Sequence, residues 1–249
     1  MTLELSQKSQ DVQAMFDRIA PRYDLLNRLL SARQDVRWRK SLIAAMPQMT
    51  GNRGGVLYDV ACGTGDVLIA ALGRRADYTK AQGFDISQGM MDAGMRRREL
   101  VDVVSRRGSQ GRPVEVGFTL ASAENLPVPE ASGDAVSIAF GLRNVDDRPR
   151  ALREFSRVLR PGGRLLVLEF FPARSTFFAR VFDIYFKRIL PLVGGLLSDR
   201  ASYEYLPKSV ASMPSGVEFT RMLHDAGFTD VTEKSWLSGA TRLFVAQKP

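Results

Sequence analysis

Short apolar runs alternate along this chain with longer stretches in which apolar residues recur every three or four positions. The runs fall at Val56–Ala61, Ala81–Ile86, Val114–Leu120, Ala135–Phe140 and Arg164–Phe170 and predict strands. Helical periodicity predicts helices at Val67–Arg74, Gln88–Val104 and Arg148–Leu159, between several of those strands. Two more helices are predicted ahead of the first strand, at Gln7–Ser31 and Asp35–Met46. This alternation specifies an α/β fold with a doubly wound, mostly parallel sheet. Pro161-Gly162-Gly163 should end a helix and turn the chain into the fifth strand. A helix at Ser215–Ala226 then precedes Asp230–Leu237 and Ala240–Gln247, which read as a hairpin-like pair around Ser238-Gly239.

The first strand ends in the stretch Tyr58-Asp59-Val60-Ala61-Cys62-Gly63-Thr64-Gly65-Asp66. Gly63 and Gly65 carry no Cβ, so the backbone can bend sharply there and a ligand can approach its N–H groups. A dinucleotide fingerprint would need a third glycine where Leu68 stands, and the Gly-Lys-Ser/Thr of a P-loop is missing. A ligand with a ribose but no phosphate suits the turn better, and S-adenosylmethionine is the common one. Asp85 ends the second strand 20 residues after Gly65, the spacing at which an acid reaches ribose hydroxyls. Helix capping is the competing role for Asp85, because Ser87 and a helical stretch follow.

Composition narrows the class. With 249 residues, 45% hydrophobic and 25% charged, the chain suits one domain with a full core and an appended element. A single cysteine excludes an internal disulfide framework and fits a reducing cytoplasm. Neither a secretory signal nor an uncharged apolar run long enough to span a bilayer is expected. The formal charge of +8 would favour anionic surfaces, yet no nucleic-acid module is evident, so no nucleic-acid partner is expected.

Several motifs give the chain a resemblance to a known family. Tyr23-Asp24-Leu25-Leu26-Asn27 continuing to Trp38, the turn with Ala61 in place of a first glycine, and Phe140-Gly141-Leu142-Arg143-Asn144-Val145 all match. So do Arg157 to Gly163 with Glu169, and Tyr203-Glu204-Tyr205-Leu206 with Ser209. The chain resembles the quinone-biosynthesis C-methyltransferases, the demethylmenaquinone methyltransferase family. It departs from that pattern at Asp35, where histidine is usual, at Phe171, where serine is usual, and at Ser122 and Ala139, where Asn and Ser are common.

The resemblance implies a class I methyltransferase (Rossmann-like) fold: a seven-stranded, mostly parallel sheet with a terminal antiparallel strand and an N-terminal helical cap. It divides the chain into a cap at 1–50, a cofactor-binding core at 51–173, an apolar lid insertion at 174–210, and a C-terminal helix and strand pair at 211–249. It implies S-adenosyl-L-methionine as methyl donor, with Gly63, Thr64 and Gly65 at the methionine end and Asp59 or Asp66 near its ammonium group. Asp85 would take the ribose, and Ser122 and Ala123 the adenine edge. Arg143, Asn144 and Tyr23 would meet the oxygens of a polyprenyl quinol, with Arg143 stabilising a developing phenolate. Demethylmenaquinol is the expected acceptor; a polyprenyl benzoquinol, another small lipid, or an RNA-binding role are the alternatives. Asp146 and Asp147 are expected chiefly as helix caps, Glu124 as a loop acid, Cys62 as an inert neighbour and His224 as a surface residue.

Within the insertion, Phe178, Val181, Phe182, Tyr185 and Ile189 share one helical face, opposite Arg180, Asp183 and Lys187. An aromatic face with basic neighbours fits a lid that covers a polyprenyl tail and touches the membrane surface through 174–198. The enzyme is accordingly expected in the cytoplasm, peripheral at the inner face of the membrane.

Overall fold

The computed structural model describes residues 5–20, 28, 31, 33–50, 53–173 and 200–249, with side chains from Tyr205 onward in the last stretch. Tyr23 and the expected lid at 174–198 lie outside the described residues.

Seven strands form one sheet: β1 (Gly55–Val60), β2 (Tyr78–Asp85), β3 (Glu115–Leu120), β4 (Gly133–Ala139), β5 (Leu159–Phe170), β6 (Thr229–Trp236) and β7 (Thr241–Gln247). Their spatial order is β3-β2-β1-β4-β5-β7-β6. The first five run parallel, and β7 runs antiparallel to both β5 and β6. The C-terminal pair is thus not a free hairpin, because β7 is wedged between β5 and β6.

Alternate strand residues feed two cores, since a parallel sheet buries both faces. Leu57, Ala135, Leu166 and Leu168 pack on one face against Trp38, Leu42 and Ile43 of α2 (Gln34–Ala44) and Leu68 of α3 (Asp66–Leu72). Tyr58, Val136, Leu165 and Val167 pack on the other against Leu152 and Phe155 of α6 (Arg148–Val158) and Phe219 of α8 (Gly216–Asp225). β1 leads outward to β2 and β3, and the chain then returns to place β4 on the other side of β1. A crevice therefore opens between the carboxyl ends of β1 and β4, where such sheets bind ligands.

Three boundaries differ from the predicted ones. The predicted helix Gln7–Ser31 ends as α1 (Gln7–Ile19), just before Pro21, which cannot donate to a helical ladder. Gln88–Val104 divides into α4 (Gln88–Met95) and α5 (Arg98–Ser109). Near the break Gly94 lies close to the Thr64 backbone, where a Cβ would come within 2.9 Å of the Thr64 carbonyl. Arg97 turns extended there and sends its guanidinium to Asp66 at 2.5 Å. Strand β5 begins at Leu159 and carries Pro161-Gly162-Gly163 within it; Gly162, at φ 78°, takes up the shift in register against β4. Helix α7 (Arg200–Ala211) follows the undescribed stretch. Among the described residues, no helix is long and apolar enough to cross a membrane.

Candidate active site

A cavity lies in the crevice. Ala61 and Gly63 line it from β1, Asp85 and Ile86 from β2, and Ser122, Ala123 and Glu124 from β3. Phe140, Gly141 and Asn144 close the β4 side, and Met90 of α4 with Ser9, Val12 and Phe16 of α1 form the remaining wall.

The turn is built from left-handed residues: Ala61 at φ 50°, Gly63 at 54° and Gly65 at 79°. An alanine fits where a glycine is usual because Gly141 faces it, and a Cβ on Gly141 would stand 2.4 Å from that of Ala61. The expected role of the two glycine N–H groups as ligand donors is corrected. Gly63 N–H donates to Asp85 Oδ2 at 2.8 Å and Gly65 N–H to the Cys62 carbonyl at 2.9 Å. The glycines give close approach, while their N–H groups hold the turn together.

Asp85 ties the turn to β2. Its Oδ1 accepts from Ser87 N–H at 2.9 Å. Burial pushes its carboxyl above the usual range, opposed by these two N–H bonds. Each carboxylate oxygen has a second lone pair, so the group can still accept from a ribose. Ser87, not Asp85, caps α4, accepting from Met90 N–H.

Asp59 is 1% exposed; Ser137 Oγ donates to its Oδ1 at 2.6 Å, and its Oδ2 has no partner. Burial raises its carboxyl to about 7, with Asp85 and Asp66 adding to the rise and Ser137 and Arg39 opposing it. Asp66 differs: burial is outweighed by Arg39 and Arg97, so its carboxyl stays below the usual range. A buried, incompletely satisfied carboxylate beneath the turn suits a ligand whose methionine end is cationic. In the folded chain the Asp59 proton is held more tightly than in the unfolded one. Its contribution is therefore complete below its ordinary value of 3.8 and is lost as pH rises through about 7. In melts of the ligand-free protein, Asp59→Asn should gain stability over the wild type as pH rises from about 5 to 8. A difference independent of pH would contradict this origin.

Thr64 and Gly65 do not line the cavity. Thr64 is 3% exposed beneath it, with Arg97 Nη1 3.4 Å from its hydroxyl. Burial also raises the Cys62 thiol well above its ordinary range, in keeping with an inert residue. His224 is exposed at the end of α8.

The β4 side separates Arg143 from Asn144. Asn144 lines the cavity, and Tyr205 of α7 donates its hydroxyl to Asn144 Oδ1 at 3.0 Å. Burial raises the Tyr205 hydroxyl, opposed by Arg143, so it remains a donor. Arg143 does not line the cavity. It is 8% exposed and pairs with the fully buried Glu169 at 2.8 Å, while its Nη1 also donates to the Phe140 carbonyl and its Nε has no partner.

Sequence reasoning missed the part played by α1. Ser9, Lys8 and Ser6 converge on Asp146, at 2.7 Å from Ser9 and 3.0 Å from Lys8. At the far end Asp17 accepts from Ser87 Oγ at 2.5 Å and from Gly89 N–H at 3.0 Å. Asp147 takes the expected capping role through Arg150 N–H, whereas Asp146 anchors α1. Glu124 is a cavity residue, and it also accepts from Asp147 N–H at 3.0 Å.

The departures at Asp35 and Phe171 also have structural explanations. Asp35 is buried against Arg39 and accepts from Ser31 Oγ at 2.6 Å. Phe171 packs between Phe219 and Phe244 in the core.

Known proteins resemble this chain in sequence and in fold. The chain is 44% identical over 239 residues to the ubiquinone/menaquinone biosynthesis C-methyltransferase UbiE of Syntrophotalea carbinolica, covering 94% of this chain and 93% of that one. It is 40% identical over 236 residues to the demethylmenaquinone methyltransferase of Thermus thermophilus, covering 94% of this chain and all of the other. A SAM-dependent methyltransferase structure from Thermotoga maritima superposes with a TM-score of 0.62 over 95% of this chain and 99% of that one. At 19% identity that likeness concerns the fold alone, which is the class I methyltransferase fold. The ubiE/COQ5 methyltransferase family matches residues 4–248. With its fold and its sequence agreeing over nearly the full length, this chain belongs to the ubiE/COQ5 methyltransferase family and is a SAM-dependent methyltransferase.

Proposed function

We propose that the enzyme methylates a ring carbon of demethylmenaquinol, with S-adenosylmethionine held in the β1–β4 crevice. The observation that carries this reading is that one cavity joins Asp85 to Asn144, the acid expected at a ribose to the amide expected at the acceptor. When bound, the cofactor supplies an electrophilic methyl group. Asp85 accepts from the ribose hydroxyls, Ser122 and Ala123 border the adenine, and the carboxylate of Asp59 answers the positive charge of the methionine end. Thr64 supports that end from beneath the turn rather than from the cavity wall.

On the acceptor side, a quinol carbon becomes nucleophilic as a neighbouring hydroxyl loses its proton and charge enters the ring. Because Tyr205 occupies Asn144 Oδ1, the Asn144 amide presents its N–H donors elsewhere, and we assign them to the developing phenolate. Arg143 is a permanent cation and no base. From behind the wall it pairs with Glu169 and fixes the Phe140 carbonyl; its contribution is positional. Tyr23 joins the same oxygens on the strength of the sequence motif. The aromatic and basic pattern of 174–198 supports contact with the prenyl tail and the membrane surface.

A polyprenyl benzoquinol is the second acceptor to consider, because one of the relatives above is named for ubiquinone as well as menaquinone. Initial rates on chemically reduced demethylmenaquinone and on the reduced benzoquinone, measured side by side, decide between them. The naphthoquinol should give the higher kcat/KM. A clear preference for the benzoquinol would reverse the assignment.

A further inference from the structure

Next to the cofactor cavity is an aromatic cluster that the roles above do not use. Phe140 and Phe170 lie 4.8 Å apart at the carboxyl ends of β4 and β5. Trp38 stands 6.0 Å from Phe140 and 6.1 Å from Phe170, and Trp236 stands 6.3 Å from Trp38. Trp38 is buried, whereas Phe140, Phe170 and Trp236 each keep part of their surface open.

Phe140 is the informative member. Its backbone is left-handed at φ 59°, a conformation that a bulky residue adopts only when its surroundings force it. They do so here: Phe140 N–H donates to the Leu168 carbonyl at 2.7 Å, and its own carbonyl accepts from Arg143. A glycine would adopt this geometry without strain, so a phenylalanine here is a departure from local preference that calls for a role for the ring. Phe140 lines the cofactor cavity, and its ring backs onto Phe170. The Arg143 guanidinium carbon, paired with Glu169, lies 5.8 Å from the centre of the Phe170 ring.

We propose that Phe140 and Phe170, backed by Trp38, form the platform on which the acceptor's quinol ring lies, with Phe140 setting its distance from the methyl donor. This rests on the quinol reading above. A flat, electron-rich ring gains from offset contact with other rings. Phe140, shared between the cofactor cavity and the cluster, is thereby a positioning and specificity-determining residue.

The cluster supplies its own probe, since Trp38 and Trp236 are the chain's two tryptophans. We would titrate the full-length protein, saturated with S-adenosylhomocysteine, with a short-chain oxidised 1,4-naphthoquinone, which cannot accept a methyl group as a nucleophile. Saturable quenching of tryptophan emission is expected. Phe140→Leu should weaken the quinone by about tenfold, the equivalent of one lost aromatic contact. It should raise KM for the reduced quinol in parallel, and Phe140→Tyr should restore quinone binding. Phe170→Leu, at a residue outside the cofactor cavity wall, should also weaken the quinone and should leave cofactor affinity within about twofold. Unchanged quinone affinity in the leucine variants, or a parallel fall in cofactor affinity and melting temperature in Phe170→Leu, would overturn the platform. If wild type methylates the quinol while those variants bind quinone normally, the platform alone is wrong. If wild type neither binds quinone nor methylates quinol, the functional reading fails with it.

Discussion

Replacing Arg143 with alanine is expected to destabilise the fold by about 3–5 kcal/mol, apart from any effect on turnover. Glu169 is fully buried, and Arg143 supplies two of its donors: Nη1 to Oε1 at 2.8 Å and the backbone N–H to Oε2 at 3.1 Å. Phe170 N–H is the other donor, at 2.7 Å to Oε1. Truncation removes the guanidinium and leaves a buried carboxylate without the cation bonded to it, the circumstance in which breaking an ion pair is most damaging. Loss of activity in Arg143→Ala alone would therefore say little about contact with substrate. The informative variant is Arg143→Met combined with Glu169→Gln, which removes both charges together. In urea titrations it should recover much of the lost stability, because the two sites are coupled. A single alanine variant that unfolds with the wild-type midpoint would show that the pair does not hold the β4 turn.

The second large effect falls on cofactor binding. Asp85→Ala should weaken S-adenosylmethionine by about a hundredfold or more, since hydrogen bonds to a charged group are worth about 1.5–3 kcal/mol each. It also frees Gly63 N–H and Ser87 N–H, both of which Asp85 accepts. Asparagine should not rescue the loss. Both carboxylate oxygens accept from backbone N–H groups, so an amide must turn its NH2 against one of them. Calorimetric titration of the three proteins with cofactor checks this. A fall of less than about threefold in Asp85→Ala would place the ribose elsewhere.

What could be read in the sequence was mostly local. The apolar runs became strands because residues such as Leu57 and Tyr58 are buried on opposite faces, a signature of parallel strands covered on both sides. The turn after β1 and Asp85 at its spacing were legible for the same reason: the chemistry lies within one strand–helix–strand unit. Contacts between distant parts of the chain were not legible. Nothing in the periodicity of α1 reveals that Asp146, remote in sequence, receives Ser9 and Lys8 and so makes α1 a wall of the cavity. Arg143 reads as a cation facing the acceptor's oxygens until Glu169, on the neighbouring strand, is seen to hold it behind the cavity wall. Arg96-Arg97-Arg98 contains no helix breaker, and the division between α4 and α5 coincides instead with an extended Arg97 whose guanidinium bonds Asp66, a contact remote in sequence. The resemblance likewise placed Thr64 among cofactor-binding residues, while its side chain lies beneath the cavity with Arg97.

In the function proposed, a reduced ring positioned between Asn144 and the cofactor takes the methyl group on carbon. The most direct test incubates the enzyme with cofactor labelled in its methyl group and demethylmenaquinone, with and without a chemical reductant. Transfer should occur only in the reduced sample, with the label on a ring carbon and one ring hydrogen lost for each methyl gained. Label on oxygen, equal transfer to the oxidised quinone, or no transfer to the reduced ring would contradict the account.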